Sequence, residues 1–187
     1  FRVRSSRPRQ RPYGSPADER RSDTAPARSW PSSLILQDML RHALIFVHFC
    51  SAVVWVGGMF FAYFCLRPAA GRLLEPAQRL PLWRATLDRF FLFTAVAVVF
   101  VLVSGGSMLL DTGFAMAPIG WRLMSVLGSL MAAIFLYVYG IVHRRLRRHC
   151  EAAAWPDAAS ALNEIRRLVA VNLLLAACTV AAAAFSR

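Results

Sequence analysis

The chain has no lysine: all 22 of its basic residues are arginine. Without that amine, Schiff-base chemistry and a P-loop are excluded. Charge of either sign is sparse. Charged residues make up 17% of the chain, against roughly 25% in soluble domains. Cysteine is scarce as well. Cys50, Cys65, Cys150 and Cys178 form no CxxC pair, so no disulfide framework is expected and the thiols read as free, buried groups. The long apolar runs hold no carboxylate, which leaves no material for proton-relay pairs or zinc–carboxylate sites. There is no GxSxG, GxGxxG or Walker loop, and no catalytic residue is assigned.

What remains is apolar: 57% of the 187 residues are hydrophobic and the mean hydropathy is +0.46. Such a composition is that of an integral membrane protein, and the length allows a single membrane domain. Four uncharged stretches carry it: 43–66, 90–110, 123–142 and 168–186, of 24, 21, 20 and 19 residues. At about 1.5 Å per residue each matches the roughly 30 Å hydrocarbon core. A backbone in lipid must satisfy its own hydrogen bonds, and runs this continuous do not alternate as barrel strands do. The expected fold is therefore all-α: an antiparallel four-helix transmembrane bundle in a lipid bilayer.

Residues 1–38 differ from the rest. The first 33 hold eight Arg and five Pro without apolar periodicity, and read as a disordered tail. The chain begins at Phe1, and Met39 stands just before the first apolar run. Part of the tail thus reads as an upstream extension, and 39–187 as the membrane domain.

The arginines flank the apolar runs, so they read as topology signals rather than nucleic-acid contacts. Segments 67–89 and 143–167 together hold eleven Arg, whereas 111–122 and the C-terminus hold one each, Arg122 and Arg187. Those two rich segments are expected on the cytoplasmic side and both termini outside. Segment 75–89 is expected to lie on the inner surface before entering the second span. Asp157 or Ser160 is expected to cap the fourth helix. Trp83, Trp121 and Trp155 are expected at the interfaces.

His48 is the one ionisable group, thiols aside, well inside a span, about 8 Å below its outer end. An intramembrane polar group is costly, and neutral imidazole ligates metals. A His hydrogen-bonded to a neighbouring helix is the plain alternative. His48, Ala52, Trp55 and Met59 share a helix face, and Gly57, Gly58, Gly105 and Gly106 permit close helix approach. The inferred topology brings His48, Met108 and Met124, with Cys178 as a further candidate, into the outer half of the bilayer. Imidazole with thioether is a soft donor set suited to Cu(I), although Met residues also serve as packing filler. His42, an outer-edge candidate ligand, lies about 120° around the helix from His48. His143 and His149 fall at the opposite end, roughly 20 Å from the His48 level. A haem held by His48 and His143 of one protomer is thereby excluded.

The run from His48 to Phe60 has the form H-x6-W-x-G-G-M-F. It resembles the first helix of the CopD-like copper-resistance membrane proteins, as do Arg67-Pro68, EPAQRLPLWR at 75–84, Ser104-Gly105 and IRRLVAVNLLL at 165–175. The resemblance extends over 39–187 and carries His48, Trp55, Gly57 and Gly58 with it. It implies an inner-membrane protein of copper uptake or tolerance, with copper as ligand and a periplasmic copper-binding protein as one partner type. Four spans are about half those of larger members, and a homodimer is one way to complete a path. A weaker resemblance is to the HemJ-type protoporphyrinogen oxidases, which implies haem b and a redox function. A non-catalytic accessory subunit is the third reading.

Overall fold

A computed structural model describes residues 32–185. The chain divides into two units, Phe1–Gln37 and Asp38–Arg187. Of the first, the described residues 32–37 are exposed helix. The tail reading otherwise lies outside the described residues, and the helix begins at Ser32 rather than at the expected boundary of 38.

The second unit is all helix and turn among its described residues, as the apolar runs predict. In chain order the helices are α1 (Ser32–Phe60), α2 (Arg67–Leu73), α3 (Pro76–Thr112), α4 (Ile119–Tyr137), α5 (His143–Glu151) and α6 (Trp155–Ala184). Short π-helical turns, Phe61–Leu66 and Val138–Val142, join α1 to α2 and α4 to α5. The result is four long rods, Ser32–Leu73, Pro76–Thr112, Ile119–Glu151 and Trp155–Ala184, each long and apolar enough to cross a membrane. The protein is a multi-pass, four-helix membrane bundle.

The rods exceed the expected spans because apolar positions continue past them at helical spacing. Residues 76–89 form the start of α3 and run on into the second span, as expected. Leu80, Trp83 and Leu87 recur at three- and four-residue spacing and are all buried. Pro76 falls in the first turn, where a missing N–H costs nothing. At the other end Gly113, with φ of +79°, closes α3 in the left-handed region. Pro118 then starts α4, so the short link makes α3 and α4 antiparallel neighbours.

Burial is uneven along the bundle. Leu80, Val142, Leu146, Ala158 and Leu162 are almost fully covered, and all lie toward the Arg-rich end. Along the apolar runs many large side chains, among them Phe46, Val53, Phe93 and Leu174, are exposed. The physical reason is the solvent on each level. Where helices leave the lipid, water drives their apolar faces together. Within it, lipid tails cover apolar surface as well as a neighbouring helix does. Trp83 is accordingly buried within this packed end, while Trp121 and Trp155 are half-buried. No side chain caps α6; Asp157 stands in its first turn, and Ser160 lies further along it.

The cysteines are free, but Cys50, Cys65 and Cys178 lie on exposed faces and only Cys150 is half-buried. A thiol in a span faces lipid at little cost, so burial does not follow from apolar sequence.

Between α1 and α3 the close approach is at Gly58. A Cβ there would overlap the Phe90 ring, while one at Gly57 would meet nothing within 4 Å. Gly58→Ala is expected to lower stability by about 1–3 kcal/mol through overpacking, and Gly57→Ala to change little. Thermal unfolding of the two variants in detergent measures the difference; equal midpoints would mean that Phe90 swings clear freely.

Candidate functional site

Helix α1 turns Ser51, Trp55 and Met59 inward and leaves His48 half-buried one turn above Ser51. The Trp55 ring meets Phe135 of α4 edge-on at 6.1 Å, and Met59 lines a small apolar cavity of about 10 Å³ with Trp55, Phe91 and Asn172. The predicted stripe is thus continuous, but its lower half serves as core.

His48 meets α3. Its Nδ1 lies 3.0 Å from Ser104 Oγ, and Ser104 is 1% exposed. The direction of that bond follows from counting protons. A serine hydroxyl has one hydrogen, and Ser104 donates it to the Phe100 carbonyl one turn back. Ser104 Oγ therefore accepts from His48 Nδ1–H. The Val101 carbonyl, another acceptor of the same turn, also bears on the ring. With the proton on Nδ1, Nε2 carries the lone pair. A fixed N–H partner on one ring nitrogen is how metal-ligating histidines are oriented.

Gly105 makes room for the ring. A Cβ there would stand 3.0 Å from His48 Cε1 and 3.4 Å from Nδ1, whereas Gly106 has open space around it. Each Gly-Gly pair thus has one member at a close approach, Gly58 and Gly105.

Met108 lies one turn beyond Ser104 on the same face of α3 and is half-buried; Met124, near the start of α4, is half-buried too. Met131, on the Met124 stripe, is drawn elsewhere. Its sulfur lies 4.0 Å from Thr179 Oγ1, and its carbonyl accepts from Asn172 Nδ2 at 3.3 Å. His42 is exposed and donates to the Asp38 carbonyl at 2.7 Å, so it does not join His48. Among the described residues no group of three or more His, Cys, Asp and Glu could hold a metal.

A second polar cluster went unpredicted. His143, 4% exposed, places Nε2 3.1 Å from Asp88 Oδ1. Arg84 and Arg147 each approach Asp88 at 4.0 Å, and Arg84 binds Glu151 at 2.6 Å. Glu164 takes Arg145 and the Tyr137 hydroxyl. Phe91 and Tyr139 flank the His143 ring. The available signal was that Asp88 precedes the second span and His143 follows the third, which sets them level in antiparallel rods. These contacts tie helices together by charge at the Arg-rich end.

The family model for copper resistance protein D matches residues 84–186, just over half of the chain. The chain belongs to this family. No curated protein and no solved structure matches it. The copper resistance protein D match covers all of α4–α6 and most of α3, so it includes Ser104, Gly105, Met108 and Met124. It begins after α1, and His48 with its Trp-Gly-Gly run lies ahead of the matched residues.

The value of Ser104 to the imidazole is open to measurement. Ser104→Ala removes the acceptor for Nδ1–H and frees the ring to rotate or change tautomer. Loss of such a partner lowers metal affinity about 10- to 100-fold. Cu(I) titration against a competing chelator reads the shift, and an unchanged affinity would dissociate Ser104 from any ligand role of His48.

Proposed function

We propose that this copper-resistance membrane protein binds Cu(I) as its substrate through His48 Nε2, at the end of the bundle away from the arginine-rich segments. Met108 and Met124 supply thioether ligands. The supporting observation is the bond from the Ser104 hydroxyl to the Phe100 carbonyl, which commits the hydroxyl proton, assigns the Nδ1 proton to His48 and so leaves Nε2 of a neutral imidazole with its lone pair. The donor chemistry fits the ion: imidazole and thioether are soft enough for Cu(I), and neither carries a charge that would have to be buried in lipid. One imidazole with two flexible thioethers also holds the ion loosely enough for release. The arginine-poor link 111–122 beside it supports a periplasmic setting for this end, in a bacterial inner membrane. There a periplasmic copper-binding protein could deliver or accept the ion, and a homodimer would supply a path that four helices do not.

Metal content and the visible spectrum of the purified protein test the reading together. About one Cu(I) per chain in a colourless protein is the expected result. A Soret band lost on replacing His48 would put haem b in its place, and neither signal would leave an accessory subunit in which His48 only joins α1 to α3.

A further inference from the structure

Three guanidinium groups converge at the Arg-rich end without an acid between them. Arg67 starts α2, Arg79 lies in the second turn of α3, and Arg166 lies in α6. Burial first, and then the charges of Arg67 and Arg79, hold the Arg166 guanidinium below its usual range. Arg166 lies over the Trp83 ring, 5.4 Å from its centroid, and Arg67 over the Tyr63 ring at 5.0 Å. Among the described residues the ion pairs of this end use Arg84, Arg145 and Arg147; none uses these three.

Their donors are also unspent. The Nε groups of Arg79 and Arg166 and the Nε1 of Trp83 are buried and have no hydrogen-bond partner. The polar contact of the Arg166 side chain is Nη1 donating to Asn163 Oδ1 at 3.2 Å. Like charges drawn together repel, and a buried donor without an acceptor costs the desolvation of that group. Evolution of a chain with only ten acidic residues has placed five near this end, Glu75, Asp88, Glu151, Asp157 and Glu164, and none of them pairs with the cluster. An acceptor from outside the chain resolves both terms at once. Guanidinium forks match carboxylate and phosphate oxygens alike, and phosphate is the anion that a bilayer surface supplies.

We infer that Arg67, Arg79, Arg166 and the Trp83 N–H form a binding site for the phosphate of an anionic membrane phospholipid. The setting selects lipid over a free ion. Arg67 directly follows the apolar run 43–66 and Arg166 shortly precedes 168–186, the height of a lipid headgroup, and Phe64, Leu73 and Leu82, near Arg67 and Trp83 in the chain, are exposed and apolar, as acyl chains require. Basic pockets between helices at this level are where anionic headgroups bind. The site joins α2, α3 and α6, so a bound lipid would hold the first rod to the rest of the bundle. It is independent of the copper reading, since no residue is shared.

The experiment counts lipid on the full-length protein. Delipidated protein in detergent is mixed with phosphatidylglycerol or phosphatidylcholine, and bound lipids are counted by native mass spectrometry. Retention of phosphatidylglycerol over phosphatidylcholine by about ten-fold or more is expected for the unaltered chain. Arg79→Gln with Arg166→Gln should abolish that preference, and Arg144→Gln with Arg148→Gln, an equal loss of charge at exposed unpaired positions, should preserve it. If the first pair does not fold, Arg67→Gln, at an exposed residue, should lower the preference by itself. Equal loss in the control pair would reduce the effect to diffuse attraction and overturn the site. Displacement of the lipid by millimolar inorganic phosphate, with equal protection by phosphate alone, would assign the cluster to a free anion and overturn the lipid.

Discussion

His48→Gln is expected to reduce Cu(I) binding from about one ion per chain to nearly none, an affinity loss exceeding about 100-fold. The argument is one of ligand softness with the fold held constant. Glutamine is close to histidine in reach, and its amide N–H can still donate to Ser104 Oγ. What it lacks is a nitrogen lone pair. An amide oxygen is a hard donor and a poor ligand for Cu(I). The contact between α1 and α3 therefore survives while coordination does not. Circular dichroism and the thermal midpoint should match the unaltered protein, and chelator competition should show the loss. Retained copper in a folded His48→Gln protein would sink the proposed site, since the neighbouring sulfurs alone would then suffice.

Phe91→Ala is expected to give the largest loss of stability, about 3–5 kcal/mol. Phe91 is 2% exposed, and its ring lies 6.0 Å from Phe135, 5.8 Å from Tyr139 and 4.8 Å from His143. It already borders the small cavity. Truncation would enlarge that void beside Asn172, whose Oδ1 has no partner. Inside a bilayer no hydrophobic force reseals the gap, so lost dispersion contact sets the cost. Unfolding in mixed micelles should show a midpoint lower by roughly 10 °C or more. Phe91→Leu, which fills most of the volume, should lose under half as much. A small effect of Phe91→Ala would mean that the aromatic cluster closes over the gap.

How much of this was legible beforehand depends on the period of the signal. The four apolar runs are long, and in lipid only a helix satisfies their backbone, so fold class and span number followed from composition and length. The family resemblance is borne out by the match at 84–186, which contains Ser104-Gly105 and IRRLVAVNLLL at 165–175 and leaves His48 to Phe60 ahead of it. Helix ends were less legible. That 75–89 runs into the second span was legible, but its arginines hide an apolar spacing that becomes visible once Leu80, Trp83 and Leu87 are seen packed together. Of the site residues, His48 stood out as a lone imidazole in a span. Ser104, which orients it, did not, because a serine in an apolar helix usually bonds back to its own turn and gives no sign of a partner 56 residues away.

Composition, run length and arginine placement by themselves determined that this chain is a four-span helical membrane protein, because lipid removes every other way of pairing the backbone. They did not determine which faces meet. That was decided in three dimensions. Gly105 admits the His48 ring, Met131 goes to α6 and not to His48, and three arginines gather without an acid. The physical reason is that apolar sequence is equally content against lipid or protein. Within the bilayer, contacts of a few close-packed atoms choose the arrangement, and those contacts join residues whose separation along the chain carries no period.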